Sequence, residues 1–341
     1  MTTQIDASIT LKKETTFGTG VTPDTSYLFT DESLTWMPTY AQGAGTRYGA
    51  RVAGAAERVL VKEEVGGDFT VEATTKGLGK LFEAAFGVGT STQIGATAAY
   101  QQLFTPLVDD YLPSYTIQKG IPPLGGGASE PHTFTGMVCS GFELAADNAG
   151  IPTIKFNWVG KALTTATAFA TPSYPSGSTL FSFISGSVRV GGSVTVPTTT
   201  ALASGGTPAA NIRAFDLTYD NALDSEGFNF GASGQRSRKP VVGLRGISGT
   251  LTAEYDSNTL RDAWIAQTDL ALVLTFASTT AIEGSNYPTL QITIPNIRLE
   301  GDIPVATRDG ATTQNVGFTA LDGRVASHPI YVAIVTAETA I

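Results

Sequence analysis

Few residues in this sequence could carry out catalysis, because its 341 residues include only two histidines and one cysteine. His132 and His328 each stand next to a proline in loop-like sequence, and Cys139 lies within an apolar run. A nucleophilic cysteine needs a base, and the base needs a third group that orients it. No such signature accompanies Cys139 and His132. We therefore interpret both histidines as solvated or structural residues and Cys139 as a small core residue.

Neither the carboxylates nor the glycines match the pattern of a known metal-binding or phosphate-binding site. Asp109–Asp110 and the trio Asp220, Asp224 and Glu226 could bind calcium, but neither group supplies ligands at regular alternate positions. The glycines of residues 125–127 lack the following Lys-Ser/Thr of a phosphate-binding loop. The sequence thus predicts no metal and no cofactor, and it gives no positive evidence for an enzyme.

Two groups of basic residues are candidates for contacts between chains. One group lies in and just after residues 41–54, a stretch rich in Gly, Ala and Arg, and the other lies in residues 228–240. Their members are Arg47, Arg51, Arg58, Arg236, Arg238 and Lys239. The second group could meet an acidic patch on a neighbouring copy or simply be solvated. Residues 41–54 are predicted to be a long loop or an open hairpin, and residues 228–240 to be a long loop.

The element around which the chain is organised lies in residues 65–86. Up to Ala73 the apolar and polar residues alternate with period two, which is typical of a strand with one buried face. From Leu78 onward, Leu81, Phe82 and Ala85 follow at helical spacing. The stretch therefore predicts a strand that leads directly into a short amphipathic helix.

The same pattern occurs again from Ile247. Gly67 matches Gly249 and Phe82 matches Trp264. The sequence separation between the two matched residues is the same in both pairs. The match has no gap over about 20 residues, although any two strand–helix units share part of such a pattern. We interpret it as an internal duplication. Residues 164–178 are rich in Thr, Ala, Pro and Ser, so the predicted units are residues 1–165 and 166–341.

Alternation in the rest of the chain predicts a mainly β fold. Each half offers about six to eight strands and one short helix. Residues 87–113 and the low-complexity residues 191–210 are expected to be irregular, and the polar residues 1–20 to form a loop or an extended arm.

Composition and charge limit the possible partners. Charged residues make up 15% of the chain, below the roughly 25% of soluble proteins, so we expect surface buried against other copies. The net charge of −9 makes the chain a poor candidate for gripping nucleic acid. One cysteine excludes an intramolecular disulfide framework. Without a signal pattern or a long apolar run, we expect no membrane span and synthesis in a cytoplasm.

Four stretches, in their order and spacing, resemble the tail tube proteins (major tail proteins) of long-tailed bacteriophages. They are residues 13–20 (KETTFGTG), 32–36 (ESLTW), the Gly- and Arg-rich 47–58, and 66–87 (GGDFTVE running into GLGKLFEAAFG). The resemblance covers roughly the first 90 residues. It implies two packed antiparallel β-sheets per unit with a short helix at the flank. It further implies rings that stack into a hollow tail tube through which phage DNA passes.

Further expectations follow from this resemblance. Single-domain members form hexamers, so two units per chain predict a trimeric ring with pseudo-sixfold symmetry. Expected partners are other copies, the tape measure protein and the tail terminator, within a virion assembled in the host cytoplasm. The acidic balance fits a lumen that DNA crosses without specific binding. Residues 41–54, 228–240 and 1–20 are predicted to bridge to adjacent subunits or rings.

Two other classes of function remain open at this point. A β-sandwich binding module for carbohydrate or a cell surface fits the richness in Gly and Thr, and it should stay monomeric or form a small closed oligomer. An enzyme on a β scaffold should lose turnover when His132, Cys139 and His328 are replaced. A tube protein should instead stack without limit and tolerate those replacements.

Overall fold

Antiparallel strands make up most of the chain. The computed structural model describes residues 6–124, 127–209, 211–301, 303–304 and 311–341. The helices in this part are α1 (Gly79–Phe86) and α2 (Thr259–Ile265). The strands are β1 (Ser8–Lys13), β2 (Thr25–Tyr27), β3 (Phe29–Glu32), β4 (Thr35–Gln42), β5 (Arg58–Glu72), β6 (Gly87–Gln93), β7 (Tyr100–Pro106), β8 (Tyr115–Ile121), β9 (Glu130–Ala146), β10 (Thr153–Gly160), β11 (Ala162–Thr164), β12 (Gly186–Val190), β13 (Val194–Thr195), β14 (Ser204–Gly205), β15 (Ile212–Asp220), β16 (Gly246–Glu254), β17 (Leu270–Ala277), β18 (Thr289–Gly301), β19 (Thr313–Ala320) and β20 (Tyr331–Thr336). The prediction of a mainly β fold is confirmed.

The predicted strand–helix unit is present as β5 followed by α1. Six of the eight residues of α1 are buried, because its amphipathic spacing turns them toward the core. The helix ends at Gly87, whose φ of 85° is one that glycine adopts at little cost. The ring centre of Phe82 lies 5.4 Å from that of Phe142 and 5.7 Å from that of Phe156. The helix therefore packs on β9 and β10.

The matching stretch forms β16 followed by α2. Strand β5 ends at Glu72 and β16 ends at Glu254, which are matched positions of the two stretches. Helix α2, however, contains no buried residue. Its side chains Leu260, Ala263 and Trp264 are only partly buried against the core. The two similar sequences thus form similar elements with different burial.

Seven strands form one continuous sheet, which we call the long sheet. Its order is β5–β10–β9–β15–β16–β19–β18. Strands β3 and β4 pair one after the other along the outer edge of β5. Between them, Gly67 has a φ of 132°, and an added Cβ would lie 2.5 Å from the carbonyl oxygen of Ser33. Glycine is required there because any side chain would clash.

Strands β9 and β18 extend beyond the long sheet. The N-terminal part of β9 pairs with β8 and β11, and β1 links β8 to β2. The N-terminal part of β18 pairs with β20, which continues to β7 and β6. Strand β17 pairs with β18 on the other edge and with β12. Phe82 also contacts Phe104 of β7 at 5.9 Å, so α1 is enclosed between the long sheet and β7.

A single hydrophobic cluster extends through both halves of the chain. Strand β15 pairs with β9, and β20 pairs with β7, so strands from either side of residue 165 share sheets. The organisation into two tandem β-sandwich units, residues 1–165 and 166–341, stays a prediction.

Two stretches that were expected to be irregular contain strands. Residues 87–113 form the β6–β7 hairpin, and residues 191–209 contain the short pair β13–β14. The sequence of β6 (GVGTSTQ) has no apolar alternation, and β7 buries Gln101 and Gln102. Their side-chain amides donate to backbone carbonyls of Thr198 and Ala340. Partners distant in sequence therefore make this polar hairpin regular.

Part of the N-terminal segment, predicted to be a loop or an extended arm, is a strand that pairs within its own chain. Ser8–Lys13 form β1, which pairs with both β2 and β8. Glu14 is 7% exposed and accepts hydrogen bonds from the backbone N–H of Gly18 (2.9 Å) and of Gly136 (2.8 Å). This buried carboxylate fastens the segment after β1 to β9. Residues 1–5 lie outside the described residues.

Candidate functional site

The candidate catalytic residues do not meet in space. Cys139 and His132 both lie on β9, seven positions apart, which corresponds to about 20 Å along the strand. Burial raises the pKa of Cys139 to about 12, so its thiol is protonated at neutral pH, and it donates to the Gly141 carbonyl. The partly buried ring of His328, whose pKa burial lowers, packs edge-on against Tyr331. These residues form no Cys-His dyad.

The candidate calcium ligands serve local structure. Asp224 accepts hydrogen bonds from Arg238 (2.6 Å) and from the backbone N–H of Val241 (2.8 Å). The Arg238 guanidinium holds the pKa of Asp224 below its ordinary value. Asp220 accepts from the N–H of Ala222. In the described ranges, no three His, Cys, Asp or Glu side chains are grouped so as to hold a metal ion.

One face of the long sheet is polar, and we call it the polar face. On the opposite face, alternate residues such as Leu144, Phe156 and Leu217 are buried in the core. On the polar face, carboxylates are in excess over cations. Its charged residues are Asp68, Glu72, Glu143, Asp216, Asp220, Glu254 and Glu300, with Lys155, Arg213 and Arg298. Small neutral residues, mainly Thr, Ser, Asn and Gly, fill the positions between them.

Ion pairs and hydrogen bonds across the strands hold the polar face in place. Glu143 meets Lys155 at 3.4 Å, and Glu254 meets Arg213 at 3.6 Å. Thr250 donates to Asp216 at 3.0 Å, and Thr319 donates to Glu300 at 2.7 Å, so these two carboxylates have neutral partners. As far as the structure describes the chain, Asp68, Glu72, Asp216, Asp220 and Glu300 form no ion pair. The face is therefore a fixed, electronegative surface.

A second exposed feature is the β4–β5 hairpin, which projects from the end of the long sheet. Every residue from 39 to 61 is exposed. Several of these exposed side chains are apolar: Tyr48 is fully exposed, Val52 is 84% exposed and Val59 is 54% exposed. Single exposed apolar residues are normal on protein surfaces, but a projecting group of them marks an interaction site.

Residues 228–240, which we call the strap, hold the base of this hairpin. Arg236 is 2% exposed, and its guanidinium lies 3.1 Å from Glu64 and 4.6 Å from the ring centre of Phe228. It also donates to the carbonyl of Glu226. The carbonyl of Gly234 accepts a hydrogen bond from the backbone N–H of Glu63 (2.9 Å). The strap therefore fixes the point where β5 leaves the body of the protein.

The basic residues predicted from the sequence thus have different surroundings. Arg238 pairs with Asp224, and the Lys239 ammonium donates to the Leu112 carbonyl at 3.1 Å. Together with Arg236, these residues contact their own chain rather than being simply solvated. Their role in assembly stays a prediction.

The other three basic residues lie on the projecting hairpin. Arg47, Arg51 and Arg58 are all exposed, and the Arg58 guanidinium lies 5.0 Å from the Tyr40 ring centre. Within the described part of the chain, none of the three forms an ion pair. They are therefore free to meet carboxylates of another chain.

The polar face was missed in the sequence, although part of its signal is visible there. In β15 the carboxylates Asp216 and Asp220 alternate with buried Phe215, Leu217 and Tyr219. That pattern identifies a solvent-facing side of one strand. It does not reveal that six further strands continue the same face, because their order depends on pairings between distant segments.

No helix in the described ranges is both long and apolar enough to cross a membrane.

A mainly antiparallel fold with a long polar sheet face and a projecting apolar hairpin is typical of a structural protein that assembles with further copies. The family model described as phage tail tube protein matches residues 4–320. The chain therefore belongs to the phage tail tube protein family, and the resemblance inferred from residues 13–87 is confirmed. No curated protein sequence matches the chain.

Proposed function

We propose that copies of this chain close into rings, that the rings stack into the hollow tail tube of a phage, and that DNA passes through its lumen. Three chains form each ring, with pseudo-sixfold symmetry, because each chain contributes two similar positions. The observation that carries this proposal is the continuous polar face, which extends over seven strands. In the ring this face lines the lumen.

The charge of the polar face suits a channel for DNA. A duplex carries about one negative charge per 1.7 Å of its axis, and fixed carboxylates repel it. Five of the carboxylates of the polar face have no cationic partner among the described residues. The small neutral side chains between them offer few donors to phosphate oxygens. DNA therefore slides along the face without being held.

The hairpin and the strap fit the contacts between rings. The exposed apolar residues of the hairpin need a partner surface, and a neighbouring ring supplies it. The strap holds the hairpin in one direction, so less conformational entropy is lost when rings join. Arg47, Arg51 and Arg58 meet acidic groups of the adjacent subunit. The tape measure protein and the tail terminator are the further partners, in a virion assembled in the host cytoplasm.

Negative-stain electron microscopy of the purified chain over a range of concentrations tests polymerisation. The proposal expects rings or hollow tubes, with threefold rotational averages. Monomers at every concentration, together with retention on a carbohydrate array, would instead support the β-sandwich binding module.

A matched pair of charge variants tests the lumen. The double variant Asp216→Lys with Glu300→Lys places four units of positive charge change on the polar face, whereas Asp109→Lys with Asp262→Lys makes the same change at exposed sites elsewhere. At low salt, we expect tubes of the first variant to carry short DNA duplexes into the pellet and tubes of the control to leave them in solution. Equal retention by both variants would show that the polar face is not the DNA-facing surface.

A further inference from the structure

An apolar groove opens at one end of the long sheet, between β12 and β15. Its volume is about 440 Å³, and the buried side chains Phe215, Leu274 and Phe276 contribute to its lining. Ile184 also lines the groove and is 91% exposed. The groove therefore keeps apolar surface in contact with water, and a partner that covers this surface is stabilised by its burial.

The groove and the projecting β4–β5 hairpin lie at opposite ends of the long sheet. In the groove, Phe215 lies opposite Ala146, the last residue of β9. The same end of the sheet contains Glu72, the last residue of β5. The hairpin leaves the sheet at Val65, seven residues earlier, which is roughly 20 Å away along the strand. It extends away from the groove, so it cannot fill the groove of its own chain.

We propose that this groove receives the tip of the β4–β5 hairpin of a second copy, with Tyr48 and Val52 in contact with its apolar lining. This inference rests on the proposed stack of rings and assigns the surface that one ring offers to the next. The contact joins opposite ends of two copies, so it is heterologous. Each added ring leaves a new free end of the same kind, so the stack grows without limit.

The hairpin is long enough to make this contact. From Val65 back to Arg58, β5 continues for seven residues beyond its pairing with β10 and stays paired with β4. This part alone is roughly 20 Å long, and residues 43–57 continue beyond β4 as the tip. The strap fixes the base of the hairpin through Arg236 and Gly234. The tip can therefore enter a copy that is stacked on this end of the sheet.

The charges of the two surfaces are complementary. Residues 41–54 include Arg47 and Arg51 and no carboxylate. At the groove end of the sheet, Asp147 directly follows β9, and Asp256 lies two residues after the end of β16. Both carboxylates are exposed, and neither forms an ion pair in the part of the chain that the structure describes. Opposite charges therefore meet when the hairpin enters the groove.

Contacts within the chain fix the rim of the groove before a partner arrives. The N–H of Phe183 donates to the carbonyl of Gly150 at 3.0 Å, which joins the rim to the turn between β9 and β10. Arg213 also lines the groove, and its guanidinium lies 3.6 Å from the Glu254 carboxylate, which balances its charge. Because the groove is preformed, less conformational entropy is lost when the hairpin enters.

The replacement Ile184→Lys tests the groove without changing the core, because the side chain of Ile184 is almost fully exposed. The ammonium group would lose water and face Arg47 and Arg51, so the critical concentration for polymerisation should rise at least about tenfold. The matched control is Ile265→Lys, on α2, where the isoleucine is 63% exposed. Circular dichroism should show both variants folded. Sedimentation that gives equal critical concentrations for both would contradict the docking.

Disulfide trapping tests the contact directly and leaves Tyr48, Val52 and Ile184 in place. In a Cys139→Ala background, Ala50→Cys adds a thiol to the tip and Ser187→Cys adds one to the groove. Mild oxidation of assembled protein should give a ladder of covalent species that does not stop at trimers, because the links run along the stack. A mixture of the two single variants should give dimers only, because the contact is heterologous.

Two controls accompany the trapping. Ala50→Cys with Thr268→Cys places the second thiol at an exposed position after α2 and should cross-link at least about tenfold less. Thr218→Cys with Glu143→Cys are opposite each other on β15 and β9 and should form a link within one chain. This second pair confirms that the oxidation works.

Electron micrographs of the same samples separate the possible outcomes. Tubes that give the covalent ladder support the docking. Tubes without the ladder, while the pair within one chain links, would overturn the docking and leave the tube function intact. Monomers of the unchanged chain at every concentration, without links between chains in the trapping variants, would contradict both the docking and the tube.

Discussion

Replacing Phe82 by alanine should separate the contributions of the two helices to stability. Phe82 is fully buried on α1, and its ring contacts those of Phe104, Phe142 and Phe156 at 5.9, 5.4 and 5.7 Å. Phe→Ala replacements in a core cost about 3–5 kcal/mol, and each lost edge-type ring contact adds to this. We therefore expect Phe82→Ala to lower the free energy of unfolding by about 4–5 kcal/mol.

The matched control is Trp264→Ala, at the corresponding position of α2. Trp264 is only partly buried and α2 contains no buried residue. Half of the burial energy of a large side chain is about 1–2 kcal/mol, so this is the loss that we expect. Urea unfolding followed by far-ultraviolet circular dichroism, at concentrations below polymerisation, measures both. Equal losses for the two variants would refute the reasoning that burial, rather than sequence similarity, sets the contribution of each helix.

Three further results are expected. Deleting residues 41–54 removes only exposed residues, so the free energy of unfolding should change by less than about 1 kcal/mol. Sedimentation of this variant should show no polymer. Normal tubes would contradict the role of these residues in polymerisation. Arg236→Gln removes the buried partner of Glu64, which keeps Lys62 at 3.1 Å, and should cost about 1.5–3 kcal/mol in urea unfolding, whereas Arg238→Gln, at an exposed pair, should have a clearly smaller effect. Burial raises the pKa of Cys139 from 9.0 to about 12, so its contribution to stability is complete below pH 9 and is lost as pH rises toward 12. Cys139→Ala should therefore flatten the alkaline decline in unfolding free energy, by at most about 1.4 kcal/mol per pH unit, and identical slopes would argue against it.

Local pattern was sufficient to predict the strand–helix units. Period-two alternation followed by helical spacing identified β5 with α1, and β16 with α2, and the two strands end at the matched positions Glu72 and Glu254. Residues that are close in sequence define these elements, so their pattern can be recognised without knowledge of the rest of the fold. The different burial of α1 and α2 was not predictable, because it depends on the strands that enclose α1.

Contacts between distant residues could not be predicted in the same way. Arg236 was placed correctly in a basic stretch, but its partner Glu64 lies 172 residues away. The strands of the β6–β7 hairpin are polar, and they are regular because β7 pairs with β20, near the end of the chain. The polar face combines strands from both halves, so only the complete topology reveals it. Such features depend on which distant segments meet.

Cryo-electron microscopy of assembled tubes, reconstructed without imposed symmetry, shows how many chains form a ring and which face lines the lumen. We expect three chains per ring, with Asp216, Asp220 and Glu300 facing the lumen and the β4–β5 hairpin contacting the next ring. A reconstruction in which the polar face lies on the outer surface, or in which six chains form each ring, would contradict this expectation.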